Sequence, residues 1–183
     1  MIFTETELKG AFTIDLEPRQ DTRGFFSRTF CQEEFAAHGL KTDVVQCNLS
    51  FNLRRGTLRG LHYQLPPATE AKLIRCVAGA IRSIVVDLRP ESETYLRHIQ
   101  VTLSAENRRA VYVPEMFANG YQALTDGAEA IYQVSERYTP GRERGLRYDD
   151  PLLGITPPLP VTAISEKDAA WPLLEPVLAG ARS

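Results

Sequence analysis

Residues 72–90, KLIRCVAGAIRSIVVDLRP, constrain the fold more than any other stretch. Two apolar runs flank Ala78-Gly79, a pair suited to turning a hairpin. In the second run Ile81, Ser83 and Val85 share one face, and Arg82, Ile84 and Val86 the other. Both faces are largely apolar, which predicts a strand covered on both sides. RHIQVTLS (97–104) alternates more cleanly, with Ile99, Val101 and Leu103 on one face. RAVYVP (109–114) is short and ends at proline, and AEAIYQVSERYTP (128–140) reads as a strand closed by Pro140. The span from about 45 to 138 therefore predicts many strands and little helix. Helix signals lie toward the ends. TFCQEEFAAHG (29–39) closes on Gly39, a residue suited to a left-handed cap. SEKDAAWPLL (165–174) opens with serine followed three residues later by an acid, a capping-box pattern, and Pro172 keeps it short. The sum is an all-β sandwich or barrel with small peripheral helices.

The chain has 183 residues, the size of one domain spanning 1–183, with a core large enough to need no disulfide or metal staple. Its formal net charge is -2 with both signs interspersed, which argues against a nucleic-acid partner. No apolar run approaches the roughly 20 residues of a membrane helix, and MIFTETELKGAF at the start has no apolar leader. Cys31, Cys47 and Cys76 lack metal-like spacing and read as reduced packing residues of a cytoplasmic protein. His38, His62 and His98 fall in three separate segments without a close H-x-H pair, so no catalytic metal is expected.

The chemistry centres on TLRGLHYQLPP (57–67). Strict alternation puts His62 on one face with Gly60 and Leu58, and Arg59, Leu61 and Tyr63 on the other. An imidazole beside leucine and glycine faces a core or a cavity. Either a backbone carbonyl satisfies it there, the commoner fate, or it moves protons. Tyr132 shares a face with Ala130 and Val134 and sends its hydroxyl inward, where core packing is the ordinary outcome. Lys72 opens a mostly apolar strand, a place where lysines are usually solvated. Arg23 before Gly24 and two phenylalanines, and Arg54, Arg55 and Arg59 around a turn, form two clusters. Guanidinium forks suit diphosphate oxygens, and aromatics suit a nucleobase; surface ion pairing is the alternative.

DTRGFF (21–26), QCNLS (46–50), GTLRGLHYQ (56–64), AKLIRCVAGAI (71–81), VPEMFANGY (113–121), YTPGRERGLRYDDPLLGI (138–155) and SEKD (165–168) occur in this order. Through them the chain resembles the dTDP-4-dehydrorhamnose 3,5-epimerases over nearly its whole length. The resemblance implies a double-sheet jelly roll, cupin-like and free of metal or any other cofactor, with a short helical segment from about 166. It also implies a homodimer to which N-terminal strands contribute, and a dTDP-linked 4-keto-6-deoxyhexose as substrate. A ketone at C4 acidifies the C–H bonds at C3 and C5. The reaction needs a base, an acid across the ring, and support for the C4 oxygen.

By resemblance His62 is the base, Asp168 the carboxylate that orients it, Tyr132 the acid on the opposite face, and Lys72 the cation at the enolate oxygen. Asp168 reads without the resemblance as the capping-box acid of the last helix. The resemblance further assigns Arg23 to the diphosphate, Phe26, Gln46, Asn48 and Arg59 to substrate contacts, and Tyr138 to stacking on the base. Two departures stand out. Ala118-Asn119-Gly120-Tyr121 replaces the usual A-H-G-F, so Asn119, a substrate contact able to donate a hydrogen bond but not to carry charge, stands for a histidine. Ser27-Arg28 stands near a usual glutamate. Two alternatives follow: inversion at a single centre or carbonyl migration on another nucleotide sugar, and a binding module without catalysis.

Overall fold

A computed structural model of the chain describes residues 1–175; residues 176–183 of the expected single domain lie outside this range. In chain order the elements are β1 (Ile2–Glu5), β2 (Phe12–Asp15), β3 (Arg19–Asp21), β4 (Gly24–Phe26), α1 (Gln32–Ala37), β5 (Gln46–Asn52), β6 (Leu58–Gln64), β7 (Lys72–Ala78), β8 (Ala80–Asp87), β9 (His98–Ser104), β10 (Ala110–Val113), β11 (Phe117–Ala123), β12 (Ala128–Val134), β13 (Glu143–Gly145) and α2 (Glu166–Ala169). Six strands form one sheet in the order β1-β2-β10-β7-β12-β5, and five form a second in the order β13-β6-β11-β8-β9. Their pairings are antiparallel, and most neighbours are distant in sequence. This is the expected double-sheet jelly roll.

Inward-facing residues of the two sheets close the core. Ile74, Cys76, Val111 and Val113 of the first sheet meet Ile81, Val85, Leu103 and Phe117 of the second. Full burial of each large apolar side chain contributes about 2 kcal/mol. The other face of β8 is apolar for a separate reason. Ile84 and Val86 pack outward under Leu146, Leu153 and Ile155. The outer face of the six-stranded sheet is covered unevenly. Phe35 of α1 seals Ile14, Leu73 and Tyr112, while Leu49, Phe51, Val77 and Ile131 stay exposed. Helix α1 ends as read, with Gly39 at φ +69 and the Leu40 amide donating back to the Phe35 carbonyl.

Two local expectations are corrected. Residues 78–80 do not turn a hairpin, because β7 and β8 belong to different sheets. Gly79, at φ +65, carries the chain across the edge between them, and a side chain there would run into Thr125 Oγ1. The strand expected to reach Pro140 ends at Val134, where the Ala71 amide donates to the Ser135 hydroxyl at 2.8 Å instead of to the Ser135 carbonyl, so the backbone ladder stops.

Candidate active site

A cavity of about 420 Å³ opens between the sheets, and both sheets supply chemistry to it: His62 and Asn119 from one, Lys72 and Tyr132 from the other. Its volume suits a hexose with part of its attached group. The sequence placed His62 and Tyr132 in the interior, and they stand on facing walls.

Arg59 lies in the same cavity, contrary to the alternation expected for β6. The pairing of β6 with β11 shifts between Asn119 and Tyr121. Gly60 sits at the shift with φ +95, and a Cβ there would lie 2.7 Å from the Asn119 carbonyl oxygen. The irregularity breaks the two-residue period, so residues 59 and 62 both face inward.

Asp168 arrives from the far end of the chain. Residues 159–163 are laced to the start of β6 and to β11: the Leu58 amide donates to the Ala163 carbonyl at 2.8 Å, and buried Gln122 exchanges hydrogen bonds with the Leu159 backbone. Ser165 caps α2 by accepting from the Asp168 amide at 3.0 Å. The carboxylate turns instead to His62, with Oδ1 2.5 Å from Nε2, while Oδ2 accepts from the Gly60 amide at 3.1 Å. Only the serine half of the capping box forms: among the described residues the Ser165 amide makes no bond to the Asp168 carboxylate, whose two oxygens serve His62 and Gly60. Burial opposes ionisation of Asp168. The hydrogen bond and charge of His62, with the Gly60 amide and the Ser165 hydroxyl, outweigh it and hold the carboxyl below its ordinary value. An ionised carboxylate only accepts, so Nε2 donates and Nδ1 remains as the basic nitrogen.

Glu143, to which the sequence reading gave no role, brings Oε1 to 3.9 Å from His62 Nδ1. It is placed by the pairing of β13 with β6 and is itself bonded to Lys167. Glu70 was also missed. It lies 3.0 Å from Lys72 Nζ, and both side chains are 12% exposed. Lys72 is therefore a wall residue rather than a solvated strand end. Two residues apart on extended chain means one face, the signal that would have paired them. Burial raises the Tyr132 hydroxyl, with the neighbouring Tyr121 and Glu70 adding to it and Arg59 opposing. The phenol keeps its proton at neutral pH.

A polar chain runs along the cavity floor. Arg59 Nε donates to Asn52 Oδ1 at 2.8 Å, Asn52 Nδ2 donates to the Tyr121 hydroxyl at 3.3 Å, and that hydroxyl meets Ser50 Oγ at 2.6 Å. Asn119 was read as a hydrogen-bond donor to substrate, but its Nδ2 points into the wall, toward Ser83 Oγ and the carbonyls of Ile84 and Gly120.

The remaining expected residues are not gathered in the cavity wall. Gln46 Oε1 accepts from the Tyr138 amide at 3.1 Å, which pairs these two exposed residues at the end of β5. Asn48 sits opposite Tyr132 in the β5–β12 register. Arg23 and Phe26 lie on the separate β3–β4 hairpin, where Arg23 makes an exposed ion pair with Asp21 at 2.6 Å.

The family model for dTDP-4-dehydrorhamnose 3,5-epimerase matches residues 5–176. A dTDP-4-dehydrorhamnose 3,5-epimerase of Methanothermobacter thermautotrophicus is 43% identical over 177 residues, covering 94% of this chain and 95% of the relative. A Legionella pneumophila dTDP-6-deoxy-D-glucose-3,5-epimerase, solved in complex with dTDP-4-keto-L-rhamnose, superposes with TM-score 0.87 at 35% identity, covering 94% of this chain and 92% of its own. A 3'-monoepimerase of Streptomyces bikiniensis, solved with dTDP-quinovose, superposes with TM-score 0.84 at 35% identity, covering 92% and 85%.

Proposed function

Since the chain belongs to the dTDP-4-dehydrorhamnose 3,5-epimerase family, we propose that His62 and Tyr132 are the base and acid of its proton exchange. The protein is an epimerase of nucleotide-linked 4-keto-6-deoxyhexoses. Nδ1 of His62 takes the proton from the carbon beside the ketone. The C–H electron pair moves into a C=C bond, and the C4 oxygen becomes an enolate oxygen facing Lys72. The Tyr132 hydroxyl then gives its proton to the opposite face of the same carbon, and the pair returns from the enolate to re-form the ketone. Solvent restores the phenol and discharges the imidazolium. Asp168 steadies that imidazolium through Nε2, and a preorganised cation at the enolate oxygen is worth several kcal/mol of barrier. The carrying observation is that His62 with its aspartate and Tyr132 line one cavity from facing sheets.

The test is solvent exchange. Incubated in D2O with dTDP-4-keto-6-deoxyglucose, the protein places deuterium at C3, C5 or both, read by NMR. The absence of exchange with any 4-keto nucleotide sugar overturns the reading, and calorimetric binding without exchange makes the protein a binding module. Inversion at one centre is the second reading. Asn119, uncharged beside the base, favours it, as does the likeness to a 3'-monoepimerase. Deuterium at one carbon alone, without migration of the carbonyl, selects it.

The proposed nucleotide is thymidine diphosphate, with Tyr138 stacking on the base and Gln46, Asn48 and Arg59 along the sugar and its linkage. We assign the protein to a homodimer. The bare apolar half of the six-stranded sheet, with Leu49, Phe51, Val77 and Ile131 exposed, supports this. Arg23 and Phe26, away from their own chain's cavity, would then serve the diphosphate and base of the second copy. Mixing His62→Ala with Arg23→Ala chains tests this: restored activity in the mixture supports sharing, and none contradicts it. Three unpaired cysteines fit a cytoplasmic location, and no helix among the described residues is long and apolar enough to cross a membrane.

A further inference from the structure

We propose that Asn119 is a specificity residue whose side-chain oxygen accepts a hydrogen bond from a hydroxyl on C2 or C3 of the sugar. It thereby sets which edge of the ring lies beside the base. The inference rests on the cavity being a 4-keto-6-deoxyhexose site.

Asn119 lies directly opposite His62 in the β6–β11 register and lines the cavity, although it is only 9% exposed. Its amide has one orientation. The atom facing the Ile84 and Gly120 carbonyls, each at 3.3 Å, must be the nitrogen, because a carbonyl can only accept. Ser83 Oγ at 3.4 Å, buried on β8, completes the nitrogen's surroundings. The donors are therefore spent on the wall. Oδ1 bonds nothing among the described residues, and it is not one of the atoms sealed from solvent without a partner. It is a fixed acceptor opening on the cavity next to the base.

The substrate has few groups that suit such an acceptor. C1 carries the diphosphate, C4 the ketone, C5 a methyl, and the ring oxygen has no hydrogen. Only the hydroxyls on C2 and C3 can donate. An enolate oxygen forming at C4 would be repelled by Oδ1 and drawn to Lys72 on the facing sheet. One acceptor and one cation, on opposite walls, thus define how the ring lies between His62 and Tyr132.

Compare kcat/KM for solvent exchange on the parent dTDP-4-keto-6-deoxyglucose and on its 2-deoxy and 3-deoxy analogues. With the unaltered protein, one analogue loses about tenfold or more, because its missing hydroxyl leaves Oδ1 unpaired. In Asn119→Ala the same loss shrinks to within about twofold. If both analogues match the parent with the unaltered protein, the inference fails whatever the variant does. It also fails if Asn119→Ala, folded by circular dichroism, keeps the full discrimination. Absence of exchange on the parent would instead overturn the reading of the site itself.

Discussion

Asp87 and Asp168 are both shielded carboxylates, with side chains 0% and 6% exposed, yet they do different things. Asp87, at the end of β8, is saturated. It receives the Arg89 guanidinium at two nitrogens, the hydroxyls of Ser92 and Thr94, and the Arg89 amide. These donors overcome its burial and hold it at about 2. Nothing in that corner is left over for a ligand. Asp168 has the Gly60 amide and one imidazole, and that imidazole is 30% exposed with its other nitrogen unspent. A carboxylate whose partners are all consumed holds the fold. One whose partner keeps an open nitrogen on a cavity is equipped for chemistry.

Substitutions should separate the two. Asp168→Asn loses the charge that fixes the His62 tautomer, and exchange should fall by about 10³-fold or more. Its thermal midpoint should change much less than that of the Asp87 variant. Asp87→Asn should do the reverse. Leaving the Arg89 charge without its partner costs about 3 kcal/mol, a drop of about 10 °C in the midpoint, while exchange per folded molecule is kept. If the pattern of losses is exchanged between the two variants, the comparison collapses.

Acid should expose the same contrast. Both carboxyls ionise more readily folded than unfolded. Their stabilisation is complete above the unfolded value, about 4, and is lost as pH falls toward the folded value, about 2 for Asp87. Between those limits unaltered protein should lose about 2 kcal/mol that Asp87→Asn has already forfeited, as read by urea unfolding across pH 2 to 5. A variant with the same acid slope as the unaltered chain would remove Asp87 as the source.

Glu143 offers an intermediate case, since it faces His62 Nδ1 at 3.9 Å but is shared with Lys167. Glu143→Gln should lower kcat by about fivefold, roughly 1 kcal/mol, through weaker support of the imidazolium. A loss as large as that of Asp168→Asn would mean that the second carboxylate, and not the first, governs the base.

Much of this was legible wherever a two-residue period held. The alternation of β8 and β9 and the inward hydroxyl of Tyr132 follow from it, and the sheets bear them out; His62 also faces inward, but on a strand whose period breaks at Gly60. Arg59 was misread because the shift at Gly60 depends on the close approach of β11, a contact no local pattern contains. Gly79 signalled a turn, but not that the turn leads into the other sheet. The pairing of Asp168 with His62 spans 106 residues and came from resemblance alone. The direction of the Asn119 amide was out of reach, since it is set by the Ile84 carbonyl of a neighbouring strand together with that of Gly120.

In this chemistry the proton leaves toward one sheet and returns from the other. Tyr132→Phe in D2O tests it directly, with exchange and configuration followed together by NMR. His62 should still remove and return the proton on its own side, so deuterium enters with the starting configuration kept while inversion falls by at least about 10²-fold. Inversion at an undiminished rate in that variant would contradict it.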